Sequence, residues 1–205
     1  MKKLITVLFI LFTLKASSQQ TELKGAAGIE FGMTKEVVNG VMNTMHKDAK
    51  FREIKKNQIF YDGGTWAGRS VFMWAFSFTD SGKLHTMVIV LNPKFDSDIF
   101  DLYKDVVEDL SGKYGPPKED DVYELWKYPY SADDKYTHGV TAIKTGKCSF
   151  STFYWFPGSD GSLEGNRNSI YVKITEFVSV WVKYQDGVLA TEVVEKNNAA
   201  KQKDM

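Results

Sequence analysis

Cysteine is almost absent from this chain, and that scarcity excludes more than any motif it carries. One thiol, Cys148, cannot form an internal disulfide, and it leaves no pair of cysteines for a structural zinc site. His46, His85 and His138 are too far apart for a local zinc signature, and none stands in a His-Glu-x-x-His pattern. Charge of one sign is lacking too: 26 Lys and Arg balance 26 Asp and Glu. Without a clustered basic excess there is nothing to neutralise a phosphate backbone, so nucleic acid is not an expected partner. The longest apolar run, Leu4 to Leu14, is interrupted only by threonines and is too short to span a bilayer, which takes about 20 residues.

That short run has another reading. Met1-Lys2-Lys3 supplies a positive start, Leu4 to Leu14 an apolar centre, and Ala16-Ser17-Ser18 small residues ahead of polar Gln19 and Gln20, the order of a secretory signal peptide over residues 1–18. Position 19 is Gln, so no lipid-bearing cysteine follows the cut after Ser18, and the expected product is an exported, periplasmic or extracellular protein with no stable membrane anchor. Cleavage removes Lys2, Lys3 and Lys15 and no acid, leaving 23 basic against 26 acidic residues. The remaining 187 residues suffice for one ordinary domain without disulfide support. Residues 19–28 read as a flexible mature N-terminus, 29–190 as a single domain, and 191–205 as a polar, solvated tail.

Two helices stand out. Thr34 precedes Val37, Val38, Val41, Met42 and Met45 at helical spacings, which predicts a helix capped by Thr34. From Ser97 or Asp98 to Lys113, Ile99, Leu102, Tyr103, Val106, Val107 and Leu110 form one face, and Gly112, Gly115 and Pro116-Pro117 end the helix. Phe72, Trp74, Phe76 and Phe78 alternate with smaller residues, and Asp80-Ser81-Gly82 turns that strand into Leu84 to Leu91. Further strands are expected near 58–62, 123–127, 140–144, 150–156, 169–175 and 178–185. The fold class is α+β: an antiparallel sheet with the two main helices packed on one face.

Lys35-Glu36-Val37-Val38 and Lys104-Asp105-Val106-Val107 lie 69 residues apart, and the same shift lays the strand at 71–78 over the one expected near 140–145. The order therefore admits a tandem αβββ pseudo-repeat with halves 29–95 and 96–190, the second carrying an extra hairpin, beside the plain reading that amphipathic helices repeat such patterns by chance.

The stretch Ile29-Glu30-Phe31-Gly32-Met33-Thr34-Lys35 resembles the opening of small exported proteins of the BamE/SmpA and β-lactamase-inhibitor-protein-like group. Trp66-Ala67-Gly68, Phe76-Ser77-Phe78, Gly82-Lys83-Leu84 and Lys113-Tyr114-Gly115-Pro116 are similar to secreted proteins of Bacteroidetes type. The resemblance implies a Gly-Met-Thr turn that caps a helix lying on an antiparallel sheet, and binding rather than catalysis. This chain departs from the group in having neither a lipid-bearing cysteine nor disulfides, and its second half has no second Gly-Met-Thr. No functional residue carries over.

Chemistry-bearing motifs are missing. Asp96-Ser97-Asp98-Ile99-Phe100-Asp101 lacks the glycine and the closing glutamate of a calcium loop, and helix capping accounts for it. Gly146-Lys147-Cys148 is not preceded by the phosphate-loop spacing and reads as a hairpin turn. No nucleophile elbow occurs, and no catalytic residue, cofactor site or metal site is expected. Cys148 reads as a buried strand thiol. Aromatic residues number 29 of 205. Most belong in a core, but Tyr61 and Trp66 flank the turn at Asp62-Gly63-Gly64-Thr65, and Tyr128-Pro129-Tyr130 falls in a loop, which makes Tyr61, Trp66, Tyr128 and Tyr130 the candidate partner-binding residues. The expected function is a non-catalytic module that binds a protein or envelope component. The alternative is a secreted hydrolase or carbohydrate-binding module whose site is assembled from distant acids and aromatics.

Overall fold

The computed structural model describes residues 22–203, so the signal segment at 1–18 lies outside the described residues. A short hairpin, β1 (Gly25–Ala26) and β2 (Ile29–Glu30), leads to α1 (Lys35–Met45). Four strands of the main sheet follow: β3 (Ala49–Lys55), β4 (Gln58–Gly63), β7 (Met73–Phe78) and β8 (Leu84–Leu91), with the small hairpin β5 (Thr65–Trp66) and β6 (Arg69–Ser70) inserted between β4 and β7. Then come α2 (Ile99–Tyr114), β9 (Val122–Trp126), the short α3 (Gly139–Lys144), β10 (Cys148–Phe156), β11 (Asn168–Ile174), β12 (Val180–Gln185) and α4 (Gly187–Lys203).

The main sheet has eight strands in the order β3-β4-β7-β8-β12-β11-β10-β9, every pair antiparallel. This order is a palindrome of two helix-plus-four-strand units, α1 with β3, β4, β7, β8 and α2 with β9, β10, β11, β12, whose last strands meet at the centre from Val180↔Leu91 to Gln185↔Thr86. Alternation decides the faces. Tyr61, Trp74, Phe76, Ile89, Val172, Val182, Tyr154 and Tyr184 share one face and are buried.

The helices cover that face. Val38 and Met42 of α1 and Ile99, Phe100, Val106 and Leu110 of α2 join the same core cluster. Hydrogen bonds pin α2 to the strands below it: Tyr154 donates to the Val107 carbonyl at 2.9 Å, and the Tyr103 hydroxyl lies 2.7 Å from that of Thr152. Thr34 caps α1 as expected, its hydroxyl accepting from the Val37 amide, and Gly32 takes φ +81°, a left-handed turn that a β-carbon would strain. The Gly32 amide and Met33 carbonyl bind the carbonyl and amide of Leu84, which fixes that turn to the start of β8. The α+β class and the antiparallel sheet are as the alternation implies.

Several elements differ from the sequence reading. Residues 139–144 are helix α3, not a strand, because Gly139 lies against Phe100 while Ala142 and Ile143 face the core. Gly146 therefore turns a helix, rather than a strand, into β10. The shift of 69 residues fails with it: in the sheet order β7 is matched by β11, each unit has four strands rather than three, and the extra hairpin sits in the first unit. Residues 22–28 are packed rather than loose, with Leu23 only 1% exposed, and most of the tail expected at 191–205 belongs to α4. Val37 and Met45 point to solvent, so the buried stripe of α1 is narrower than its apolar pattern. Asp98 sits at the N-cap of α2 without a capping hydrogen bond from its side chain. Among the described residues no helix is long and apolar enough to cross a membrane.

Candidate functional site on the open face of the sheet

The four aromatics singled out from sequence do not form one site. Tyr61 is 1% exposed; its hydroxyl donates to Asn39 of α1, its ring meets Phe76 edge-on, and burial raises its hydroxyl pKa. It is a core residue and is withdrawn as a contact. Trp66 lies half-buried against the core in the β5–β6 hairpin, which Arg69 ties to Asp109 of α2. Tyr128 is 91% exposed and Tyr130 half-buried beyond β9, at the opposite edge of the sheet. Strands β4 and β9 are six spacings apart, about 28 Å at the usual inter-strand distance.

A different set of aromatics gathers on the other face of the sheet, opposite the one that α1 and α2 cover. In β10, Cys148, Phe150, Thr152, Tyr154 and Phe156 point into the core, so Phe153 and Trp155 point out. In β11 and β12 the same alternation turns Tyr171 and Lys173, and Trp181 and Lys183, to the open side. Register then brings them together. Phe153 is opposite Tyr171, which is opposite Lys183, and Lys173 is opposite Trp181. Phe153 stacks on Tyr171 with ring centres 4.3 Å apart and on Trp155 at 5.6 Å, while Tyr123 of β9 meets Phe153 edge-on. Arg167 lies over Trp155 at 4.4 Å, and the Lys173 ammonium is 4.9 Å from the Trp181 ring. All but Tyr123, which is 51% exposed, are half-buried.

Around Tyr171 and Trp181 the patch carries two lysines, Lys173 and Lys183. Burial, and after it the neighbouring charge of Lys173, lowers the pKa of Lys183. His85 is lowered by burial and then by Lys183, with Asp186 opposing. Among the described residues neither Lys173 nor Lys183 has an ion-pair partner. On the first unit's half of the same face two cations are paired, Arg52 with Asp62 at 3.5 Å and Lys55 with Glu53 at 3.2 Å.

The patch was open to detection. Tyr171-Val172-Lys173 and Trp181-Val182-Lys183 are one pattern, aromatic-Val-Lys, written twice, with the buried valine fixing which side the other two take. What the pattern cannot show is that the strands pair so that each lysine falls opposite the other's ring.

At the rim of the patch, a groove of about 580 Å³ runs between the end of α2 and the loop after β10, lined by Pro116, Asp121, Trp155, Pro157, Leu163 and Arg167. Its lining holds one carboxylate, Asp121, which accepts from the Trp155 indole at 2.8 Å, and no histidine. Among the described residues no group of three or more His, Cys, Asp or Glu is placed to hold a metal ion. Cys148 is buried, and burial followed by Glu124 pushes its thiol up to about 11, the reverse of an activated nucleophile. No family model, curated protein or solved structure matches this chain.

Proposed function

We propose that this chain is a non-catalytic binding module that holds a protein or envelope component against the open face of its sheet, in the periplasmic or extracellular compartment to which residues 1–18 direct it. The observation that carries this reading is the array of Phe153, Tyr171 and Trp181, large rings on adjacent strands that turn to the face opposite the one on which, among the described residues, α1 and α2 pack. Rings held by a rigid sheet offer broad contact area and have little rotamer freedom left to lose, which is why aromatics dominate the energetics of interfaces. The Phe31-Gly32-Met33-Thr34 resemblance points the same way. A hydrolase would need a nucleophile or two convergent carboxylates in a cleft, and the groove beside the patch offers a single engaged carboxylate.

The test is a comparison of the unaltered chain with a Tyr171→Ala/Trp181→Ala variant, both shown to unfold at the same temperature, as baits for envelope and culture-medium fractions. A component held by the first and lost by the second is the expected result. Equal retention by both would remove the open face from the proposal.

A further inference from the structure

We propose that the partner is a protein that presents an acidic side chain, flanked by an apolar or aromatic one, to the two-by-two array of Tyr171, Lys183, Lys173 and Trp181. This rests on the open-face reading above and adds the chemistry of what the face receives.

Four observations converge. Antiparallel pairing of the two aromatic-Val-Lys triplets sets rings on one diagonal of the array and ammonium groups on the other. Diagonal neighbours of this kind are about 7–8 Å apart, within the span that a single carboxylate bridges with one oxygen to each long, flexible lysine. Among the described residues the two lysines also have no ion pair, whereas Arg52 and Lys55 of edge strand β3 do, although the chain as a whole carries equal numbers of acids and bases. A charge-balanced molecule that keeps like charges together on a half-buried surface holds an unfavourable interaction that an anion would relieve; Lys183 is held below the usual lysine range by burial first and by the Lys173 charge second.

The rings select the class of partner. Tyr171 and Trp181 flank the ammonium groups, so the anion must arrive with apolar surface beside it, as a carboxylate in a folded or extended polypeptide does. The whole face measures about 34 Å across its strands and about 20 Å along them, close to the roughly 800 Å² that each protein contributes to an ordinary interface. Nucleic acid would call for more cations than Lys173, Lys183 and Arg167 supply, and Arg167 already lies over Trp155. A polysaccharide would call for amides or carboxylates to read its hydroxyl groups, and next to the array the outward positions hold Ser151, Ser169, Val88 and Val90 with only Gln185 as an amide.

The experiment uses the full chain, labelled with 15N, and two probe peptides: acetyl-Gly-Phe-Glu-Asp-Phe-Gly-amide, and its counterpart with Gln and Asn in place of Glu and Asp. The acidic peptide is expected to shift the Trp181 indole and the Tyr171 and Lys183 amides. Its affinity should fall at least about fivefold for the amide counterpart and for the Lys173→Gln/Lys183→Gln variant, and weaken between about 0.05 and 0.5 M salt. A Lys173→Arg/Lys183→Arg variant keeps the charge and should keep the binding, which separates lost charge from lost folding.

Equal binding of both peptides, abolished by Tyr171→Ala/Trp181→Ala but indifferent to the lysines, would overturn the acidic partner and leave the open-face reading standing. Binding of the acidic peptide that survives Tyr171→Ala/Trp181→Ala would overturn the open-face reading itself. No shift on the face with either peptide, or a stronger response there to heparin or single-stranded RNA, would overturn the assignment of an acidic protein.

Discussion

Asn168 is the residue whose removal should most clearly expose how the ends of this domain are held. Its side chain is 1% exposed at the start of β11, where it donates to the Leu23 carbonyl at 3.0 Å and accepts from the Gly187 amide at 2.9 Å. One amide thus joins the N-terminal segment, a central region of the sheet and the first turn of α4, whose leading amides have no partner within the helix. Asn168→Ala orphans a buried carbonyl and a buried amide at once. Each such group costs about 1–3 kcal/mol, so with some water entry the loss should be about 3 kcal/mol. For a domain of this size that lowers the unfolding midpoint by about 6–12 °C. Asn168→Asp separates the two bonds: a carboxylate still accepts from Gly187 at a helix N-terminus but repels the Leu23 carbonyl. Thermal unfolding followed by circular dichroism gives the total, and hydrogen exchange read by mass spectrometry localises it. Peptides spanning 22–30 should lose protection in both variants, and the peptide beginning at Gly187 only in Asn168→Ala. A midpoint within about 2 °C of the unaltered chain, with protection unchanged at both ends, would refute this account of the residue.

Three other outcomes are expected. Cys148 should not react with a disulfide reagent at pH 8 in the folded chain and should react with one equivalent after unfolding, because burial disfavours its thiolate. Lys183→Met should raise the unfolding temperature at neutral pH. The folded-state pKa of Lys183 lies below its unfolded value, so the protonated lysine destabilises the fold at neutral pH, and the variant's advantage should shrink as pH rises from the folded pKa toward that of free lysine; an advantage that grew with pH would contradict this. Gly139→Ala should destabilise by about 1–3 kcal/mol in a denaturant titration, since the new methyl would sit 2.6 Å from the Phe100 ring inside the core.

Much of the fold was legible because it is local. The Thr34 cap, the buried face of α2 and the alternation of Trp74, Phe76 and Phe78 each depend on residues within a few positions of one another. Misreadings occurred where a distant contact overrode propensity. Val140-Thr141-Ala142-Ile143 is β-branched enough to pass for a strand, yet Phe100 and the adjacent core hold it as a helix. β3 went unread because a register shift between Phe51 and Glu53 breaks its alternation at the sheet edge. α4 has no apolar stripe to announce it, and its start is set by Asn168 and by Asp186, whose carboxylate accepts from the Leu189 amide.

The candidate site divides along the same line. Sequence by itself determined that Tyr171 and Lys173 share one side of a strand, and Trp181 and Lys183 one side of another, because side chains alternate along any extended chain. It also placed Tyr61 two residues from Ile59, the relation that buries both. Only the tertiary structure decided that β11 and β12 pair with each lysine opposite the other's ring, that Phe153 and Trp155 extend the array, and that α1 and α2 cover the opposite face. The physical reason is that register and layer order are set by the whole buried surface, from Leu23 to Tyr184, and no segment of the chain contains that surface alone.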